Sequence, residues 1–481
     1  MTRPTPPTLL ALWLGLAAAC AGDTPRTTSG PARSVAPNII WIVLDDAGRA
    51  IGASGDPQAI TPHIDRLARE GARFTRAFTH SAACAPSRSG LIAGMYPTSM
   101  GSHHMRSLLA NPPQPFMRLL RDAGYYVVWP GKMDFNFYSP GGGIDRNNLR
   151  EGWRYDCPEC WDSQAPWLGA TPPRQPFFAY LDVAVTHESQ VRATPEQFAK
   201  TTARLTPDQR HDPAKMRVPA FFPDMPEVRQ DLARFYDLMT AADYQVGDVL
   251  AWLDRHGLTE NTVVMVFGDH GIGLPRMKRW VYDSSLQVDL VVRWPGQIAP
   301  GTVREDLVAF VDFAPTVLSI AGVPVPERMQ GQVILGPARA ADRQYVYGAR
   351  DRFDNAFDRI RSVRDTRYHY IRNFQPEIPY AQRIPYAELG PTLQAWRRLA
   401  EGGRLTGPPA LFFAARKPEE ELYDTAVDRD EVRNLAGDAA HREILARLRA
   451  ALDEWMATTT DLGAVPEAEL VTRGVLRPGV Q

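Results

Sequence analysis

The sequence predicts an α/β protein built on a large, doubly wound, mainly parallel sheet, with a smaller C-terminal α+β domain. Four continuous apolar runs, 38–44, 125–129, 177–185 and 262–267, have the length and composition of strands buried on both faces. Helical patterns separate them, and strands alternating with helices give a parallel sheet. The runs end abruptly in polar residues: Asp45-Asp46, Lys132 after Pro130-Gly131, Thr186-His187-Glu188, and Gly268-Asp269-His270-Gly271. Ligands of such sheets bind beyond the carboxyl ends of the strands. One polar strand end is ordinary, whereas four of this composition mark an active site.

The chain opens on an export signal over residues 1–20. Arg3 precedes an apolar run, 9–19, too short to span a bilayer, and small residues lead into Cys20. Cys20 is placed as in a bacterial lipobox, but Ala17 stands where Leu is usual. A lipid anchor at Cys20 and plain cleavage therefore both stay open, and the expected location is periplasmic or cell-surface. Residues 21–37 are rich in Thr, Ser, Pro and Gly and read as a flexible tether.

Residues 38–334 form the expected catalytic domain. Thr61 and Pro62 supply an N-cap and a first-turn proline for a helix. The polar, proline-bearing stretch 188–226 reads as a lid over the site. Apolar residues from Val228 to Leu253 step at threes and fours, giving a long amphipathic helix stopped by Gly257. From about residue 335 to 460 Arg/Asp-rich segments alternate with short strands and end in an amphipathic helix near 444–456, with a tail over 461–481. Formal net charge is -1, which excludes a general nucleic-acid or membrane-surface role. The only membrane link expected is the lipid anchor. Any anion must be held by a local cluster.

Four cysteines occur. Cys20 belongs to the signal, and Cys157 and Cys160, with two residues between them, are expected to pair in an exported protein. Cys84 is left over, next to Pro86 and Arg88 at the start of a helical pattern. A helix N-terminus favours anions. Taken alone, Cys84 is a buried structural cysteine; the strand-end residues reverse that reading. Asp45, Asp46 and Asp269 are three carboxylates suited to a hard divalent cation, Ca²⁺ or Mg²⁺. His270 beside them is unusual for Ca²⁺, and is either peripheral or a pointer to Mg²⁺ or Mn²⁺. Arg88, Lys132 and Lys278 are candidates to converge on an anion, with Arg279 an alternative to Lys278, and His187 could protonate a leaving oxygen.

Cys84-x-Pro86-Ser87-Arg88 resembles the signature of type I sulfatases, in the alkaline-phosphatase-like superfamily. Thr61-Pro62-His63-Ile64-Asp65, Gly131-Lys132, Gly268-Asp269-His270-Gly271, Val292-Arg293-Trp294-Pro295-Gly296 and Glu421-Leu422-Tyr423-Asp424 look like that family as well. The resemblance implies that a maturation enzyme oxidises Cys84 to Cα-formylglycine, whose hydrate is the nucleophile. It implies Ca²⁺ on Asp45, Asp46, Asp269 and His270, with residue 84 also at the metal. By the same resemblance Arg88 steadies the formylglycine, Lys132 and Lys278 neutralise the sulfate, and His187 assists the leaving group. The family commonly has His two residues after the Gly-Lys lysine; here it is Asp134, expected to take over the proton transfer that expels sulfate.

Thr186-His187-Glu188-Ser189, His103-His104-Met105-Arg106 and Arg350-Asp351-Arg352 resemble the heparan N-sulfatase (sulfamidase)-like branch. That implies a sulfated glycan substrate, with sulfate esters or sulfamates as the bond cleaved. His103, His104, Arg106, Arg350 and Arg352 become candidate substrate contacts. The competing readings are a phosphonate or phosphodiester hydrolase of the same superfamily, and an inactive glycan-binding lipoprotein in which Cys84 stays a thiol.

Overall fold

The computed structural model describes residues 1, 36–128, 132–139, 157–163 and 169–478. The signal, Cys20, nearly all of the tether, Trp129, Pro130 and Gly131 lie outside the described residues. The strands are β1 (Asn38–Leu44), β2 (Ala72–Phe78), β3 (Tyr126–Val128), β4 (Phe177–Val183), β5 (Thr262–Gly268) and β6 (Gln287–Arg293). They continue with β7 (Thr302–Arg304), β8 (Val308–Ala309), β9 (Val346–Arg350), β10 (Ile360–Arg364), β11 (Tyr368–Asn373) and β12 (Glu420–Asp424).

The main sheet runs β3-β4-β1-β5-β6-β2-β7, with β8 also on β2. Only β6 runs against its neighbours. β1 is the central strand and is apolar on both faces, as its sequence requires. Ile40, Ile42 and Leu44 join one hydrophobic cluster with the long helix Pro226–Arg255. Ile39, Trp41 and Val43 join another with Phe116 and Phe313. The sheet is therefore covered by helices on both sides.

Register sets the site. Leu44 of β1 lies opposite Val183 of β4 and Gly268 of β5. The chain thus leaves three neighbouring strands at one level, and Asp45-Asp46, Thr186-His187 and Asp269-His270 emerge together.

Local details differ from the sequence expectations. β4 stops at Val183, and Ala184–Thr186 is a single 3₁₀ turn. Thr61 does not cap its helix; the Asp243 carboxylate, from the long helix, accepts from the His63 and Ile64 amides at 3.0 and 2.7 Å instead. The stretch 188–225 is not a loose lid: Leu205, Met216, Phe221 and Phe222 are buried in the cluster that includes the long helix. Apolar anchors inside a polar segment override its composition.

A four-stranded antiparallel sheet, β12-β11-β10-β9, follows. The helix Arg442–Thr458 covers it, with Trp455 stacked on Tyr347 at 4.9 Å. Val363, Tyr370 and Leu452 belong to the same hydrophobic cluster as Ile40 and Ile42. The segment after 460 is held down: Leu470 is buried, and the Ala110 amide donates to Val475 O at 2.9 Å. Cys157 and Cys160 form the expected disulfide.

Candidate active site

Cys84 opens the helix Cys84–Ala93, every residue of which is buried. Ala83 precedes it in extended backbone and offers no side-chain cap, so the first amides of the helix stay available to an anion. Gly90 lets the helix lie against His80: a Cβ there would sit 2.2 Å from the imidazole. Cys84 Sγ lies 3.9 Å from Asp45 Oδ1, 3.9 Å from Asp46 Oδ1 and 3.2 Å from His270 Nε2. Ligand atoms of Asp46, Cys84, Asp269 and His270 all fall within 4.8 Å of one another.

The carboxylates are fixed from behind. Asp46 adopts left-handed backbone, φ 57°, a conformation Asp tolerates better than most residues. Its amide donates to Asp269 Oδ1 at 2.9 Å, and its Oδ2 accepts from the Glu188 amide at 2.8 Å. Gly273 makes room: a Cβ there would lie 2.7 Å from Asp46 Oδ2 and 2.5 Å from Glu188 Cβ. Thr186 Oγ1 donates to Asp45 O, and Ser87 Oγ to Asp269 O at 2.8 Å.

Arg88 is fully buried, and its guanidinium ties three strand ends together. It contacts Asp269 Oδ2 at 3.0 Å, Asp45 Oδ1 at 3.3 Å and Asp182 Oδ1 at 2.7 Å, with Tyr180 OH at 2.5 Å. Lys132 Nζ bridges both oxygens of Asp45 at 3.1 Å. Lys278 Nζ bridges both oxygens of Asp46 at 2.9 Å and reaches Glu188 Oε1 at 2.6 Å. Lys278 is 4% exposed, so it is not a solvated surface lysine. Arg279 instead pairs with Glu188 at 2.7 Å.

The residues fit a divalent cation. Five carboxylates (Asp45, Asp46, Asp182, Glu188, Asp269) face four fixed cations (Arg88, Lys132, Lys278, Arg279). Burial would raise Asp45, but Lys132, His187, Arg88 and Lys278 hold it well below the usual carboxylate range. Burial, with Asp45 and Asp46 adding repulsion, keeps Asp269 above that range. Burial also carries Asp182 up to about 7 in spite of Arg88. Positive charge is thus short at Asp269. His270 adds to this. Its Nδ1 lies 3.0 Å from Gly271 O and can donate there. Nε2 then turns a lone pair toward Asp46 Oδ1 at 3.2 Å and Asp269 Oδ1 at 3.7 Å, an arrangement that a cation between them would satisfy. The same site disfavours a thiolate: burial pushes the Cys84 thiol well up, and Lys132 and Lys278 do not reverse it.

His187 is half-buried at the rim, its Nδ1 2.9 Å from Ser189 Oγ. Burial pulls its imidazole below the ordinary range, with Asp46 and Asp45 opposing. Asp134, also in left-handed backbone, lies 3.5 Å from Lys132 Nζ, and its Oδ1 is buried without a partner among the described residues.

The candidate substrate contacts divide. Arg350 is 1% exposed and is held by Asp358 at 2.6 Å and Gln382 at 2.7 Å, over the Trp280 ring. His103 and His104 are buried and stacked at 4.2 Å. Arg352 forms a two-toothed pair with Glu467 at 2.6 and 2.7 Å. The two arginines are engaged by partners inside the protein, as a buried charge must be, whereas both ring nitrogens of His103 and Nε2 of His104 are buried with no partner among the described residues. Arg106 alone is exposed, and it stays available. The sequence reading gave no role to Glu188, which clamps Lys278 and Arg279, or to Asp182, which anchors Arg88. Glu188 adjoins His187 and Asp182 sits near the end of an active-site strand, so both positions carried a signal.

Residues 37–323 match the family described as Sulfatase, and residues 268–380 match that described as N-sulphoglucosamine sulphohydrolase, C-terminal. An ulvan-active sulfatase of Formosa agariphila is 36% identical, over 91% of this chain and 77% of its own length. Human N-sulphoglucosamine sulphohydrolase is 27% identical over 88% and 90%. Among solved structures, one bound to its substrate D-glucosamine-2-N,6-O-disulfate aligns with a TM-score of 0.61 at 18% identity, covering 88% of this chain and 98% of its own. A phosphonate monoester hydrolase of Silicibacter pomeroyi aligns at 0.63 and 19%, over 89% and 97%. The extent of the family match and of the 36% relative places the chain in the sulfatase family, among enzymes that hydrolyse sulfate esters and sulfamates.

Proposed function

We propose that this sulfatase removes sulfate from a sulfated glycan, using a formylglycine made from Cys84 and a divalent cation on Asp45, Asp46, Asp269 and His270. One observation carries the reading: an unpaired cysteine, its thiol pushed up by burial, opens a buried helix within 4.8 Å of ligand atoms of Asp46, Asp269 and His270. Such a thiol is a poor nucleophile, so its position calls for conversion rather than direct attack. When present, the aldehyde hydrate would supply the attacking oxygen and the cation would stabilise charge on the sulfate oxygens.

The chain's own residues do the rest. Lys132 and Lys278, held on Asp45 and Asp46, are fixed cations for a tetrahedral anion above Cys84. Glu188 positions Lys278 from the other side. Arg88 holds Asp45 and Asp269 apart from their mutual repulsion. His187, at the rim, offers a proton to a departing sugar oxygen. Asp134 Oδ1 is free to accept a proton near Lys132. The names of the relatives, one acting on ulvan and one on N-sulphoglucosamine, support a glycan substrate. Residues 1–20 support export, with either a lipid anchor or simple release.

The test is co-expression with a formylglycine-generating enzyme, followed by assay of inorganic sulfate from ulvan oligosaccharides and from N- and 6-O-sulfated glucosamine. Sulfate release from at least one is expected. Release only from aryl phosphonates or phosphodiesters would favour the phosphonate-hydrolase reading, and binding without any turnover the inactive glycan-binding one.

A further inference from the structure

We infer that a second pocket, behind the segment that carries Lys278, binds an acidic pyranose, a sugar ring bearing a carboxylate or a sulfate. The pocket encloses about 330 Å³, at the small end of ligand sites. Leu411 and Arg416, both exposed, stand at its rim. Arg276 and Tyr282, which bracket Lys278 in sequence, line its inner wall.

Arg276 is 5% exposed. Its guanidinium is held between the Phe221 and Tyr282 rings, 4.3 and 3.7 Å from their centroids. Nη2 donates to Glu431 O at 2.7 Å, while Nη1 is buried with no partner among the described residues. Both rings lie against the guanidinium, and its Nη1 edge remains to be satisfied. A buried cationic donor without an acceptor is costly, and a guanidinium edge suits an oxyanion.

The acidic residues of the pocket do not compete for that edge. Glu421 accepts from Tyr282, Tyr380, Tyr423 and Asn373. Glu431 accepts from His369 and the Asp283 amide. Lys417 is taken by Asp358. Of the pocket's cations, Arg276 within and Arg416 at the rim make no ion pair among the described residues. Phe412 and Tyr380, stacked at 6.4 Å, add aromatic wall for the C–H face of a ring. The choice of a sugar ring rests on the glycan reading above; the preference for an anion does not.

The test is calorimetric titration of the Cys84→Ala chain with glucuronate, glucose 6-sulfate and uncharged methyl glucoside. At least one acidic sugar is expected to bind about tenfold or more tighter than methyl glucoside. Ala414→Trp, which fills the pocket, should abolish that binding, and Arg416→Ala should weaken it about threefold. Ala414→Trp in otherwise intact, matured enzyme should turn over an aryl sulfate within about twofold of the parent, which separates pocket loss from misfolding. Stronger glucuronate binding identifies the anion as a carboxylate, and stronger glucose 6-sulfate binding as a sulfate. Absence of both at about 20 mM, or binding that survives Ala414→Trp, overturns the proposal. Glycan turnover is not part of this readout, so the pocket and the catalytic reading fail independently.

Discussion

At the residue scale the account turns on a few buried charges. The proposed proton-accepting role of Asp134 rests on an Oδ1 that is buried with no partner among the described residues. Asp134→Ala should lower steady-state turnover while leaving a burst of sugar product, because release of sulfate becomes limiting; an unchanged burst and steady state would remove Asp134 from the mechanism. His187 makes a pH prediction. It must be protonated to act as an acid, and burial lowers its pKa, so the protonated fraction falls as pH rises through a window below the ordinary histidine range. Turnover of a sugar sulfate should therefore rise as pH is lowered from 7 toward that window, until other groups titrate. His187→Gln should remove this limb and cost roughly 10²–10⁴ in kcat on a sugar sulfate, but much less on an aryl sulfate with an acidic phenol. Equal losses on both substrates would contradict the assignment. Asp45, Asp46, Asp269, Cys84, Arg88 and Lys132 were legible in the sequence because each lies at or just after a strand end or a helix start. The internal ion pairs of Arg350 and Arg352 were not legible, because a motif fixes neighbours in sequence, whereas Asp358 and Glu467 are brought in by the fold.

At the scale of elements, the site depends on how closely backbone segments approach. Gly273 brings the segment after β5 against Asp46 and Glu188. Gly273→Ala should displace that carboxylate and its clamp, reducing kcat/KM by about 10²-fold or more through misplacement alone. A normal far-ultraviolet circular dichroism spectrum should accompany that loss, and wild-type kcat/KM would show that the approach is looser than described. Asp243→Ala removes the acceptor for the His63 and Ile64 amides and should cost about 1–2 kcal/mol in chemical denaturation. Thr61→Val should leave that cap intact, because the Thr61 side chain accepts no helix amide. The strands at 38–44 and 262–267 were readable from apolar runs alone. The cap was not, since Asp243 lies 179 residues from Ile64. Nor was the anchoring of 188–225, where a few scattered apolar residues outweigh a polar composition.

At the scale of the whole molecule, the sheet order brings three strand ends to one level, and a cation there would tie β1 to β5. Binding to the folded state alone adds stability by mass action, about 2.7 kcal/mol at a hundredfold excess over Kd. Adding Ca²⁺ to chelator-treated protein should therefore raise Tm. The rise should persist in Cys84→Ala, which keeps Asp45, Asp46, Asp269 and His270, and vanish in Asp269→Ala. A Tm indifferent to divalent cations would contradict the site. The parallel sheet was legible because its strands alternate with helices. The antiparallel β6 and the fusion of the C-terminal layer into the same core were not, since both depend on pairings that local pattern does not encode. The central claim, that Cys84 is a precursor and not a thiol nucleophile, has a direct measurement: mass spectrometry of the tryptic peptide 77–88 from enzyme expressed with a maturation partner. The account predicts a mass about 18 Da below that of the cysteine form, in proportion to activity. Full activity with an unmodified Cys84 thiol would contradict it.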